Sequence, residues 1–155
     1  MTIMPYLSPA RWQARIYPGH LSLMSTVRAD LRTDLAGFGE DLVETATLCV
    51  SEIAANSIEH TRSGERGGRV LRALFESEPG VLRLVVVDDG TRESAPEIPI
   101  HRTGQEWLSA ERGRGLLMVE SLADRWGSYP VVPLPFCSDL GTAVWAEFVL
   151  GGGER

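Results

Sequence analysis

The sequence lacks the features that mark membrane-spanning, secreted and nucleic-acid-binding proteins. No apolar run approaches the roughly 18–20 residues that a membrane span requires, and the N-terminus has no apolar core typical of a secretory signal. The net charge of −6 argues against a nucleic-acid partner. Cys49 and Cys137 are the only cysteines, and we expect both to be free thiols in a reducing compartment. We therefore expect a cytoplasmic protein that binds neither a membrane nor nucleic acid.

What the sequence does contain is enough apolar material for one globular domain. Its 155 residues can bury a substantial core, and the hydrophobic fraction of 43% is ordinary for a folded protein. We find no internal repeat and no second domain. The prediction is a single domain over residues 1–155, with its core at about 11–150.

Apolar periodicity predicts three helices and five strands. The helices are predicted at 20–38, 41–61 and 113–122. The strands are predicted at 11–17, 69–76, 81–88, 124–129 and 142–150, and the second and third of these should form an antiparallel hairpin. The predicted fold class is α+β, a two-layer sandwich with helices packed on one face of a mixed, mostly antiparallel sheet.

The segment 41–61 carries the most informative pattern. Its apolar residues cluster on one face of a helix, and Glu52, Asn56 and His60 recur every fourth residue at the edge of that face. Polar groups at the margin of a core are costly unless they are paired. A carboxylate can accept a proton, and a nearby amide oxygen suits Mg²⁺. Incidental polar residues at a solvent margin are the commoner explanation when this segment is taken alone.

Two acidic residues and a glycine, Asp88-Asp89-Gly90, end the most apolar predicted strand. An aspartate in this position can accept a hydrogen bond from an exocyclic amine such as that of adenine, and the glycine lets a flat ring approach the backbone. A simple turn has the same composition. Another short pair, Gly141-Thr142, opens the last predicted strand and by itself carries almost no information.

Glycines also open the third predicted helix, in the segment Gly113-Arg114-Gly115-Leu116 that follows Arg112. The backbone N–H groups and the dipole of a helix N-terminus favour phosphate, and the two arginines add positive charge. A flexible hinge is the alternative interpretation. The spacing matches neither a P-loop nor a dinucleotide-binding fingerprint.

Together and in this order, these segments resemble the Bergerat-fold (GHKL) ATP-binding domain. The resemblance is strongest to small bacterial serine-protein kinases of the anti-sigma-factor type, in particular the stand-alone ATP-binding regulatory proteins of actinomycetes. It covers about residues 14–150. The segments that carry it are ARIYPG, CVSEIAANSIEHT, VVVDDGT, ERGRGLLMVESLADRWG and GTAVWAEF.

The resemblance implies ATP and Mg²⁺ as cofactors and assigns roles to individual residues. Asn56 would be the Mg²⁺ ligand, Glu52 the catalytic base and Asp88 the adenine-binding aspartate. The irregular segment 91–112 would be the ATP lid. The nucleotide-binding residues that it implies are Asn56, His60, Asp88, Gly90, Arg112, Gly113, Arg114, Gly115, Leu116 and Thr142.

Two positions depart from the family pattern. Arg92 stands where the first glycine box usually has its second glycine, and Gly141 precedes Thr142 where a lysine is common. The first departure concerns the hinge of the predicted lid and the affinity for nucleotide. It leaves the expected adenine contact of Asp88 in place.

The resemblance implies phosphorylation of a serine or threonine on a STAS-type anti-anti-sigma protein, and so regulation of transcription by partner switching. A sigma factor and a second copy of the chain are the further partners that it suggests. The alternative function is a nucleotide-dependent binding module that sequesters a partner with little or no phosphoryl transfer.

Overall fold

A computed structural model describes residues 11–90, 113–131 and 141–151. The described elements are β1 (Arg15–Pro18), α1 (Met24–Asp34), α2 (Glu40–His60), β2 (Arg69–Glu78), β3 (Val81–Val87), α3 (Gly113–Leu122), β4 (Arg125–Pro130) and β5 (Thr142–Val149). Short 3₁₀ turns precede α1 at Leu21–Leu23 and follow α2 at Arg62–Gly64. These elements confirm the predicted α+β fold class. The predicted lid at 91–112 lies outside the described residues.

The five strands form one sheet in the order β1-β2-β3-β5-β4. Every pairing among the described strands is antiparallel, and no parallel pair occurs there. The predicted β2–β3 hairpin is confirmed, and Gly80 turns it with a φ of 82°. Because β3 pairs with both β2 and β5, it is the central strand, and its C-terminal end lies in the middle of one sheet edge.

The apolar core fills the space between the helices and one face of the sheet. Alternate strand residues point into it, as the period of two requires. Leu74 on β2, Leu84 and Val86 on β3 and Ala146 on β5 are all nearly or fully buried in it. Helix α2 supplies the largest share from the helical layer and packs against α1 and α3. No described helix covers the opposite face of the sheet, where Ile16 on β1 is 59% exposed.

Two predicted elements differ from the observed ones at their ends. The first predicted helix, 20–38, is a 3₁₀ turn followed by α1, which ends at Asp34 because the chain turns through Gly37 with a φ of 97°. The predicted strand at 11–17 begins only at Arg15. Before it, Trp12 is buried in the core and donates from Nε1 to the carbonyl oxygen of Asp34 at 2.7 Å, a tertiary contact in place of strand pairing.

An ion-pair cluster joins α1 to the first two strands. Asp34 accepts two hydrogen bonds of 2.8 Å from Arg15, and it also pairs with Arg72, which is 1% exposed. These guanidinium groups, Arg15 first, hold the pKa of Asp34 below its ordinary value, against the opposing effect of burial. Burial, together with the hydrogen bond to Asp30, raises the pKa of Tyr17 to about 12.

Candidate functional site

Helix α2 presents polar side chains at the edge of its buried face, as its sequence predicts. Glu52 and Asn56 are both half-buried, one turn apart. The Nδ2 atom of Asn56 is buried and donates no hydrogen bond within the described protein. A buried amide nitrogen without an acceptor is destabilising by about 1–3 kcal/mol. This is the kind of group that a ligand or an ion would satisfy.

The third residue of the stripe, His60, is half-buried at the last position of α2. Its Nε2 lies 3.9 Å from a carboxylate oxygen of Glu59, which is too long for a hydrogen bond. Its position, one turn beyond Asn56, is the one that the sequence predicts, and its contribution to a nucleotide site stays a prediction.

Cys49 lies one turn before Glu52 and is fully buried among apolar side chains. Burial, and secondarily the nearby Glu52 carboxylate, raises the pKa of its thiol to about 12. Because the thiolate is the reactive form, this thiol is inert in the folded protein. The expectation of a free thiol is confirmed for Cys49, while Cys137 lies outside the described residues.

The carboxylate of Asp88 is fixed by the backbone around it. Asp88 directly follows the central strand β3 and is 2% exposed. Its Oδ1 atom accepts hydrogen bonds from the backbone N–H of Gly90 at 2.8 Å and of Thr142 at 3.0 Å. The structure thus brings Thr142 next to Asp88 and Gly90, although Thr142 lies 54 residues from Asp88 in the sequence. The resemblance places these three residues at the adenine end of the site.

Glycine is required around this carboxylate because the chain segments pass so close to each other. A Cβ on Gly141 would lie 2.1 Å from Asp88 Oδ1 and 2.2 Å from the backbone nitrogen of Gly90, distances that no side chain tolerates. Gly90 has a φ of 96°, a conformation that other residues rarely adopt. A lysine at position 141, which is common before the threonine in the resembling family, would therefore clash with Asp88 and Gly90. This clash is a steric reason for the glycine at position 141.

The turn after α2 brings that helix next to the end of β3. The backbone N–H of Arg62 donates to the carbonyl oxygen of Gly90 at 2.8 Å. The C-terminal end of α2 therefore lies against the segment that follows Asp88, and we treat the two as parts of one candidate site. Sequence analysis missed Arg62 and Ser63 as parts of it, since the run RSGERGG signals only a turn.

The glycines of the predicted phosphate-binding segment 113–116 do begin a helix, because α3 starts at Gly113. Leu116 is 2% exposed, so its side chain belongs to the core and it can contact a ligand only through its backbone. Arg112 lies outside the described residues, as do the side-chain positions of Arg114. Their predicted contacts, and those of Gly113 and Gly115, stay predictions.

The residues present fit a Mg²⁺ ion that shares its ligands with a nucleotide. The part of the chain that the structure describes holds no group of three or more His, Cys, Asp or Glu side chains able to bind a metal on their own. Mg²⁺ usually takes one or two protein oxygens and completes its shell with phosphates and water. Turning the Asn56 amide over would put Oδ1 at the buried position without a partner, where a cation would satisfy it.

The described site consists of a buried carboxylate next to two glycines at the end of a central strand, and of a helix that presents Glu and Asn at the edge of its buried face, in an α+β domain. The chain belongs to the family described as the histidine kinase-like ATPase domain, whose sequence profile matches residues 17–145. Membership of this family implies nucleotide binding.

One solved structure with a similar fold contains the RsbU and RsbW domains of Rv1364c from Mycobacterium tuberculosis. The two chains superpose with a TM-score of 0.55 at 22% sequence identity. The match covers 90% of this chain but only 32% of that one, and it concerns the fold. No curated protein matches this chain. Within the described residues, no helix is both long and apolar enough to span a membrane.

Proposed function

We propose that this protein binds ATP with Mg²⁺ and phosphorylates a serine or threonine hydroxyl on a STAS-type anti-anti-sigma protein. The observation that carries the proposal is the buried Asp88 carboxylate, held by two backbone N–H groups between Gly90 and Gly141. Family membership makes ATP the expected nucleotide. The sequence resemblance to anti-sigma-factor kinases supports the choice of acceptor.

At the adenine end, Asp88 would accept a hydrogen bond from the exocyclic amine of the base. Its two backbone donors hold the carboxylate in one orientation, so little side-chain entropy is lost on binding. Because Gly90 and Gly141 have no side chains, their backbone packs directly against this carboxylate. This arrangement favours adenine, because a guanine ring places a carbonyl oxygen where adenine has its amine, and that oxygen would face the carboxylate.

At the phosphate end, Asn56 would hold Mg²⁺ through its amide oxygen. A bound Mg²⁺ neutralises charge on the phosphate oxygens. The backbone N–H groups that begin α3 at Gly113 and Gly115 would donate to the same phosphates, where the helix dipole favours negative charge. The described backbone supplies a helix start at this position, as that role requires.

Glu52 would orient the acceptor hydroxyl and take its proton as the oxygen attacks the γ-phosphorus, with ADP as the leaving group. Glu52 is half-buried one turn from Asn56, and this spacing on one helix supports a role beside the proposed metal ligand. Positioning and charge stabilisation account for most of the catalysis in phosphoryl transfer, so few protein groups are needed.

The first test is ATP binding by calorimetry with and without Mg²⁺. We expect binding that is stronger with Mg²⁺, and an Asn56→Ala variant that loses most of the Mg²⁺-dependent part. Absence of binding in both conditions would overturn the proposal as a whole.

The second test follows the phosphoryl group. The protein is incubated with γ-labelled ATP and a purified STAS-domain protein from the same organism. We expect label on a serine or threonine of the STAS protein, and a loss of at least about 100-fold in its rate in Glu52→Gln. ATP binding without transfer, together with capture of a partner, would support the nucleotide-dependent binding module instead.

A further inference from the structure

The 3₁₀ turn at Arg62–Gly64 makes a dense set of bonds to the two residues that follow Asp88. The backbone N–H of Arg62 donates to Gly90 O at 2.8 Å, and its guanidinium donates to Asp89 O from Nη2 at 2.7 Å and from Nε at 3.1 Å. In the reverse direction, the backbone N–H of Asp89 donates to Ser63 Oγ at 2.9 Å. The carbonyls of Asp89 and Gly90 and the N–H of Asp89 are thus held by one turn.

The turn is itself held firmly enough to fix the conformation of the segment that it contacts. Ser63 is fully buried, and its backbone N–H donates to Thr61 Oγ1 at 3.0 Å. Two glycines pack directly on it, because a Cβ on Gly19 or on Gly68 would lie 1.6 Å or 2.2 Å from the carbonyl oxygen of Ser63. Movement of the turn would require movement of the end of β1 and the start of β2 as well.

We propose that Arg62 and Ser63 are positioning residues that hold the Asp88–Gly90 segment in its base-binding conformation. The inference rests on the proposed nucleotide site. The connection passes through Gly90, whose N–H donates to Asp88 Oδ1 while its carbonyl accepts from Arg62. If the Asp89 and Gly90 backbone shifts, Asp88 loses a donor and its carboxylate is no longer fixed in orientation.

The chemistry of the serine and arginine side chains suits them to hold this backbone segment. A buried hydroxyl oxygen is the acceptor that the Asp89 N–H needs, and an alanine at position 63 would leave that N–H without a partner. The planar guanidinium of Arg62 delivers two N–H groups to one carbonyl oxygen, whereas a lysine is a single charged centre without that fork geometry.

The test uses Ser63→Ala, Arg62→Met and Arg62→Lys, with Arg66→Met as the matched control. Arg66 lies on the same connection between α2 and β2, is exposed, and has no described bond to Asp88, Asp89 or Gly90. Two quantities are measured in the full chain. One is amide hydrogen exchange without nucleotide, and the other is the affinity for ATP and for ADP by calorimetry.

In Ser63→Ala and Arg62→Met we expect exchange at the Asp89 and Gly90 amides to accelerate about tenfold, with exchange in Leu82–Val86 unchanged. Affinity for ATP and ADP should fall by the same factor, about tenfold for each, because the defect lies at the base end. Arg62→Lys should recover part of the loss, and Arg66→Met should match the wild type.

The two proposals fail in different ways. If the wild type binds no nucleotide, the proposed function is wrong, and with it the positioning role. If the wild type binds and the variants exchange faster at Asp89 and Gly90 without losing affinity, only the positioning role is wrong. A uniform acceleration along β3 would identify Arg62 and Ser63 as general stabilising residues and would also overturn it.

Discussion

Two carboxylates, Asp88 and Glu147, are equally buried at 2% exposure, yet their surroundings differ in kind. Glu147 lies on the uncovered face of the sheet and accepts from Ser77, Arg83 and Arg125 at 2.7–3.0 Å. Asp88 Oδ1 accepts from backbone N–H groups and is flanked by glycines. Charged side chains compensate the first carboxylate within the fold, whereas backbone N–H groups and closely packed glycines fix the orientation of the second.

The difference shows how a structural and a ligand-binding carboxylate can be told apart in this fold. The exposed fraction is the same for both. The distinguishing feature is whether side chains or the backbone donate the described hydrogen bonds to the carboxylate. At Glu147 one donor is the guanidinium of Arg83, which also lies 4.4 Å from the centre of the Trp145 ring.

The largest expected effect is on nucleotide affinity in Asp88→Asn. The amide oxygen can still accept from Gly90 and Thr142, so the free energy of unfolding should change by less than about 1 kcal/mol. The amide nitrogen then faces the adenine amine, donor against donor, and ATP affinity should fall on the order of 100-fold. Calorimetry and urea unfolding check the two parts. An Asp88→Asn variant that still binds ATP tightly would show that Asp88, like Glu147, is a structural carboxylate.

An intermediate effect is expected for Gly141→Ala, compared with Gly127→Ala. The new Cβ at 141 meets backbone and the Asp88 carboxylate, so we expect a loss of about 2 kcal/mol in unfolding free energy together with weaker ATP binding. At 127 the Cβ would meet the Trp145 side chain at 2.8 Å, on the Glu147 side of the sheet. That variant should lose stability but keep its ATP affinity. Equal affinity losses in both would contradict the comparison.

The smallest expected effect is the pH dependence of stability that Glu147 contributes. Burial raises the pKa of this carboxyl, but the hydrogen bond from Ser77 and the charges of Arg83 and Arg125 outweigh burial, so the pKa lies below its ordinary value of 4.5. A lowered folded-state pKa stabilises above the ordinary value, and the contribution is lost as the pH falls through the folded-state pKa. Glu147→Gln should be less stable at pH 7 by about 1–2 kcal/mol.

The difference in unfolding free energy between the wild type and Glu147→Gln should narrow as the pH falls below the ordinary carboxyl pKa of 4.5, while ATP affinity at pH 7 stays unchanged. Asp34 also has a lowered pKa, but it titrates in both proteins and cancels from the difference. Urea unfolding at each pH measures the gap. A gap that widens towards acid would show that Glu147 is not charge-stabilised in the folded state.

The elements with a strong local pattern were predictable. Helix α2, predicted at 41–61, is observed at Glu40–His60, because its apolar period extends over five turns. The predicted strand at 81–88 is observed at Val81–Val87, since an almost entirely apolar run between turn signals has few alternatives. Asp88 and Gly90 were identified as a candidate site because they follow directly from this strand.

The rest depends on contacts that no local pattern records. The side chain of Ser63 accepts a hydrogen bond from the backbone N–H of Asp89, 26 residues away. Nothing in the run RSGERGG distinguishes a turn that holds another segment from an ordinary turn. The steric need for glycine at position 141 arises only when β5 pairs with β3 and brings Gly141 against Asp88. The bond from Trp12 Nε1 to the carbonyl oxygen of Asp34, 22 residues away, is likewise not recorded in any local pattern.

The buried thiol of Cys49 is a natural probe of the local opening of helix α2. Alkylation requires the thiolate, and because the thiol is fully buried with a raised pKa, we expect the reaction to need local opening of α2. Glu52 lies one turn away, so the rate of labelling reports the opening of the very helix that carries the proposed catalytic base. If bound nucleotide closes the site, the rate of Cys49 alkylation should fall, and no engineered probe on α2 is needed to measure it.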